Sequence, residues 1–278
     1  MAFAVPSTST TAFAAGTTVT ITKPSGLAVG DLMVATLGAV SSGAAISFST
    51  LSGWSAAATG NGSDYATSIQ YKIADSGDVA ASNFTFTCTS ASHTCGAIIR
   101  ATGPSPTSVL AEGDGDNNTG ANSQTISFVT AETPVVTDSL VIMALLGGQT
   151  TGTGTISSYT TTPSVTFTEI IDTTVGTSTR DPIFGSAYGI YSGTSDITAY
   201  GATLSVSKPQ HFGAIALFTP LVNATGTTTL LSADADFFSA AGSAGVSGST
   251  ALHETSAQSF AASGDVTQPT EWSTTIKT

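Results

Sequence analysis

Along residues 17–23, TTVTITK, apolar Val19 and Ile21 alternate with threonines. A two-residue period of this kind predicts a β-strand with one face buried. Residues 31–40, DLMVATLGAV, form a continuous apolar run of strand length between Gly30 and Ser41-Ser42-Gly43. Residues 65–74, 83–89 and 94–101 follow the same rule: each is short, rich in Thr, aromatic or β-branched residues, and fenced by Gly, Asn, Asp, Ser or Pro. No stretch of this region sustains a 3.6-residue period. Many short strands separated by turn residues predict an all-β sandwich or barrel rather than βαβ units.

The pattern is written twice. One spacing lays Thr18-Val19-Thr20-Ile21 on Thr125-Ile126-Ser127-Phe128, Asp31 on Asp138 and Val34 on Val141. A second, ten residues longer, lays Tyr71 on Tyr188, Ile73 on Ile190 and Gly96-Ala97-Ile98 on Gly213-Ala214-Ile215. A single net insertion between Leu37 and Tyr71 reconciles the two. The expectation is two tandem, internally duplicated antiparallel β-sandwich units, jelly-roll-like in character, followed by an extended C-terminal arm. The boundaries are an N-terminal arm at 1–14, unit one at 15–103, a Gly/Asp/Asn-rich linker at 104–121, unit two at 122–220 and the arm at 221–278. The two units either form separate sandwiches or pool their strands into one larger double sheet. In the arm, Phe237, Phe238 and Trp272 are the anchors expected to lie on a partner subunit.

Composition narrows the function. Charged residues are 9% of the chain and the net charge is −12 with six Lys and Arg. Nucleic-acid binding needs clustered cations to displace counterions, so neither DNA nor RNA is an expected partner, and an anionic membrane surface is disfavoured on the same ground. Mean hydropathy is +0.26, yet no apolar run approaches the ~20 residues of a spanning helix. No basic start and apolar block marks a secretory leader, so assembly in a cytoplasm is expected.

Candidate chemistry is sparse. Cys88 and Cys95 flank a predicted hairpin tip at Ala91-Ser92, so they form either a disulfide or two free core thiols. With His93 they make an incomplete zinc set, and no metal or cofactor is expected. Asp114-Gly115-Asp116-Asn117 resembles the start of a calcium loop, but the next glutamate is Glu132, too far for such a loop. No Gly-x-Ser-x-Gly element is present, and His93 and His211 fall at expected hairpin turns. No catalytic residue is assigned and no enzymatic activity is expected. Trp54, in Ser-Gly-Trp-Ser, is expected as a core anchor. If it instead converged with Tyr65 and the 114–118 segment at the surface, it would stack on sugar rings.

At PSGLAVGDLMVATLGA, SGWS, QYKIADSGD and NFTFTCTSASHTCGAIIRATG the chain resembles β-rich bacteriophage virion structural proteins, of the capsid decoration, cement or tail-fibre type. The resemblance covers unit one and reaches unit two only through the repeat. It implies a virion part acting through assembly, with itself (a homo-oligomer, a trimer by precedent) and other virion proteins such as the capsid protein as partners. The alternatives are a tail-fibre or receptor- and glycan-binding module, and a calcium-stabilised extracellular adhesin.

Overall fold

A computed structural model describes residues 3–221 except 42, 105–108, 135, 149–150 and 176–180; residues 222–278, and with them Phe237, Phe238 and Trp272, lie outside the described residues. In chain order the elements are β1 (Ala4–Ala15), β2 (Thr18–Thr22), β3 (Leu32–Val40), β4 (Ser55–Asn61), β5 (Tyr65–Ile73), helix α1 (Ser76–Ala80), β6 (Asn83–Thr87), β7 (His93–Thr102), β8 (Leu110–Glu132), β9 (Ser139–Gly148), β10 (Ile156–Thr162), β11 (Phe167–Thr174), β12 (Ile183–Tyr191) and β13 (Ile197–Phe218). The all-β class follows directly, and every strand pairing is antiparallel.

Sheet one has the order β1-β7-β3-β5-β4. Sheet two has the order β10-β13-β9-β12-β11, with β8 also paired to β13. The two sheets stack face to face. Leu32, Val34, Ile69, Cys95, Ala97 and Ile99 of sheet one share a single core with Leu140, Ile142, Ala144, Phe184, Phe212 and Phe218 of sheet two. Thr36 Oγ1 donates to Ser186 Oγ across this interface at 3.0 Å, which satisfies a hydroxyl pair that the apolar interior would otherwise penalise. The strands therefore pool into one double sheet inside one compact unit.

Each sheet carries a further layer on its outer face. Over sheet one lies the β2–β6 ribbon, whose alternating burial sends Val19, Ile21, Phe84 and Phe86 inward against Met33, Ala35, Leu37 and Trp54. Over sheet two lie the second half of β8, the first half of β13 and β10, packing Ile126, Phe128, Tyr200 and Leu204 on Val141, Met143 and Leu145. This explains why β3 and β9 are buried at every position: both faces of each are covered, the condition that makes a continuous apolar run in sequence.

The two sheets have corresponding strand orders, with β8, β13, β9, β12 and β11 in the places of β1, β7, β3, β5 and β4. The sequence register follows the structure in some strands only. Cys95, Ala97 and Ile99 face the shared core, as do their counterparts Phe212, Ala214 and Ala216. Val34 also faces the shared core, whereas Val141, laid on it by sequence, faces the outer core of sheet two. Leu140 and Ile142 are the residues that match Leu32 and Val34 by facing. A one-residue slip moves every side chain of a strand to the opposite face, so structural equivalence in β9 runs one residue later than the sequence match.

Two boundaries differ from expectation. Most of the supposed N-terminal arm is strand β1, paired along β7 from Ala4↔Thr102 to Ala15↔His93. Residues 110–121 of the supposed linker belong to β8, where Asp114 and Asp116 pair with Ile215 and Gly213. The segment has poor strand propensity, but ladder bonds to β13 and backbone packing against β4 override it. Here β-carbons on Gly113 and Gly115 would run into the Ala57 and Thr59 carbonyls. Of the two arrangements open in sequence, the pooled one is found, because the core between the strand sets draws on both.

Candidate functional site

The free edges of the two sheets are where this fold leaves backbone groups without a strand partner among the described residues. An edge strand presents unpaired N–H and C=O groups, and natural proteins usually guard it with charge, brevity or cover. Strand β8 carries Glu112, Asp114 and Asp116, and β11 carries Glu169 and Asp172. Strands β4, SAAATGN, and β10, ISSYTTT, are uncharged but short, and the β4 backbone rests on β8 at Gly60, Gly113 and Gly115.

Strand β1 lacks charge, brevity and cover among the described residues; its interruptions are Pro6 and two irregularities of register, between Ala4 and Ser7 and between Thr11 and Ala14. Its twelve residues, AVPSTSTTAFAA, contain no charge, and among the described residues no strand pairs with its outer side. Its inner side is firmly held. Ser7 Oγ donates to the Ser25 carbonyl at 2.8 Å and Thr11 Oγ1 to the Thr20 carbonyl at 2.9 Å. Val5 and Phe13 pack against the shared core. Thr8, Thr10 and Ala12 are exposed. The result is an uncharged, hydroxyl-rich edge on a chain of net charge −12.

Three of the six lysines and arginines are spent on local staples beside this sheet. Asp75 caps α1 and forms a capping box with Asp78. Lys72 bridges both, at 2.9 Å to Asp75 and 2.8 Å to Asp78. Burial works to lower the Lys72 pKa, but its hydrogen bonds to the two aspartates outweigh it and leave the ammonium harder to deprotonate. The Lys72 hydrogen bond holds Asp75 down at about 2. Arg100 Nε sits 2.6 Å from Asp31 Oδ2, and Lys23 donates to the Val79 carbonyl. Lys208 is fully buried on β13, donating to the Gly152 carbonyl at 2.8 Å, while Gly152 N–H donates to Asp181 at 2.7 Å. Desolvation lowers its pKa, opposed by the nearby Asp181 charge.

The residues singled out from sequence do not gather at one place. Cys88 and Cys95 are both free and buried. The expected hairpin does not exist, because β6 pairs with β2 while β7 pairs with β1 and β3. Cys88 faces the outer core of sheet one and Cys95 the shared core, on opposite sides of the sheet. Burial pushes the Cys88 thiol up to about 12 and raises Cys95 as well, so both behave as core thiols. His93 and His211 lie in β7 and β13 rather than at turns. His211 is buried with Nε2 unpartnered among the described residues, and desolvation lowers its pKa.

Trp54 is 7% exposed and packs edge-on against Phe84 and Phe86 at 5.5 and 5.2 Å between ring centroids. Tyr65 is buried in the shared core against Phe212. With these rings in two different cores and residues 114–118 in β8, the aromatic–acidic cluster of a sugar site is not assembled. Among the described residues no group of three or more His, Cys, Asp or Glu is placed to hold a metal ion, and no helix is long and apolar enough to cross a membrane. Comparison with protein-family models, curated proteins and solved structures yields no match to this chain.

The open β1 edge was missed in sequence because its alternation is of serine and threonine rather than of apolar and polar residues. Its signal was the run Ser7-Thr8-Ser9-Thr10-Thr11, rich in β-branched residues and free of charge.

Proposed function

We propose that this protein is a structural component of a bacteriophage virion, of the capsid decoration or cement kind, and that it works by adding its β1 edge to a strand of a neighbouring subunit. The observation that carries the reading is that open edge: twelve residues, uncharged, anchored on one side and unpaired on the other. Strand addition supplies main-chain hydrogen bonds as the attachment, a mode that needs no charge complementarity. The acidic remainder of the surface repels other copies elsewhere, which favours contact through the neutral edges. A β1–β1 contact is isologous and closes a dimer; a contact of β1 with a different edge is heterologous and gives a ring such as a trimer where its rotation closes. The resemblance of the Gly-Asp, Gly-Trp, Tyr-Lys and Phe-Thr-Phe elements to virion proteins points the same way. Capsid protein is then the second partner. The glycan-binding reading is weaker, because Trp54 and Tyr65 are enclosed in cores.

Sedimentation velocity on the full chain tests this. The expected result is a dimer or trimer for the wild type. Replacing exposed Thr8 and Thr10 together with lysine places charges along the edge and weakens association about tenfold or more, with circular dichroism unchanged. A wild type that stays monomeric at high concentration overturns strand addition as the mechanism.

A further inference from the structure

The two halves of β8 return past each other at a cluster of acids. Glu112 and Asp114 come from the first half, and Thr130 and Glu132 from the second. Thr130 Oγ1 lies 3.0 Å from Glu132 Oε1 and 3.2 Å from Asp114 Oδ2. A threonine hydroxyl has one proton to donate. It cannot donate to two ionised carboxylates at once, and two facing acceptors would leave one contact repulsive. The arrangement is satisfied when one carboxyl is protonated and donates to Thr130, which then donates to the other.

Glu132 is the protonated member. It is 3% exposed, and its Oε2 has no hydrogen-bond partner among the described residues. Asp114 is only half-buried, and its Oδ1 accepts from the Gly115 N–H at 2.7 Å, so it is the better-solvated carboxylate. We propose that Glu132, Thr130 and Asp114 form a buried proton-binding site, a carboxyl–hydroxyl–carboxylate bridge that latches the second half of β8 to the first and is released when the proton leaves.

The surroundings favour the proton. Burial raises the Glu132 pKa to about 7; the Thr130 hydrogen bond opposes this, and the charges of Glu112 and Asp114 reinforce it. From β13, Tyr200 faces the same cluster: burial raises its pKa, and the nearby Asp114, Asp116 and Glu132 add to the rise. Glu112 also accepts from the Thr133 N–H, and Thr133 Oγ1 donates to Asp196 at 2.9 Å on the chain entering β13. None of these carboxylates forms an ion pair with a lysine or arginine among the described residues.

The sign of the effect follows from linkage. An isolated glutamate ionises near 4.5, so between about 4.5 and about 7 the folded protein holds a proton that the unfolded chain has lost. Stability therefore falls as pH rises through that window and levels off above it, by about fortyfold in the folding equilibrium between pH 5 and 7 from this group alone. Asp172, raised to about 6 chiefly by burial, contributes in the same window, so the informative quantity is the difference between wild type and variant.

Glu132→Gln is the test. A glutamine amide donates to Thr130 as the protonated acid does but cannot ionise. The expected result is that its unfolding midpoint varies less with pH than that of the wild type, and exceeds it above pH 8. At pH 8.5, amides at residues 126–132 exchange faster in the wild type than in the variant; at pH 5.5 the two match. Parallel stability profiles and equal exchange at both pH values overturn the latch. As a second variant, Asp114→Asn removes the facing charge and moves the Glu132 carboxyl titration, followed by carbon-13 NMR, towards the ordinary range. An unmoved titration also overturns the bridge, and neither readout depends on whether the protein is a virion part.

Discussion

Gly115→Ala lowers the stability of this protein by about 3 kcal/mol, the upper end of the cost of forcing extra atoms into a packed interior. Strand β8 passes over β4 with no room for a side chain: a β-carbon on Gly115 would overlap the Thr59 carbonyl and crowd the Gly60 nitrogen. Those atoms are backbone, held by the β4–β5 ladder at Thr59↔Ser68 and Gly60↔Thr67, so relief requires one strand to move. Gly113, beneath the Ala57 carbonyl, responds in the same direction. Chemical denaturation measures the effect, with Thr8→Ala on the exposed edge as a reference expected to stay within about 0.5 kcal/mol. A Gly115→Ala protein as stable as wild type contradicts the close β4–β8 packing.

Phe184→Ala costs about 3–5 kcal/mol, the range for truncating a buried aromatic. Phe184 is fully buried on β12, and its ring fills the space above Gly38 of β3 in the opposite sheet. Because the ring belongs to sheet two and its contact to sheet one, the loss registers in both. Trp54 lies in the outer core of sheet one, where Phe184 is not a member, yet its fluorescence is expected to report the same lowered midpoint as circular dichroism. Two separated transitions, with Trp54 unaffected by the substitution, contradict the shared core. The pair Gly38→Ala and Phe184→Ala is expected to be non-additive, because the new methyl enters the space the ring has left.

The strands that sequence located best are those whose burial pattern is simple. β2 and β6 alternate, and β3 is an apolar run broken only by Thr36, so each announced itself by period or by run. β1 and the first half of β8 did not. One is a ladder of serine and threonine and the other is acidic and glycine-rich, and both are strands because β7 and β13 supply pairing partners distant in sequence. The hairpin placed at Ala91-Ser92 failed for a related reason: the chain there steps from the β2–β6 layer into sheet one, a change of layer that local turn residues do not encode. The candidate site was legible only as a lack of charge in residues 4–15. Its openness depends on where β1 falls in the sheet order, which no local pattern specifies. The acid cluster was half visible, since Asp114 and Glu132 were both noted as a failed calcium loop. What brings them together is the return of β8 along β13.

The outer side of β1 is the edge we propose as the docking site for another subunit. The most direct measurement is hydrogen–deuterium exchange across residues 4–15 of the full chain, at concentrations well below and well above the midpoint of association. The expected result is that amides of β1 on the side away from β7 are unprotected when dilute and become protected on association, while β3 and β9 are protected at both concentrations. Association that leaves β1 exchange unchanged would contradict the claim and place the contact on another surface of the molecule.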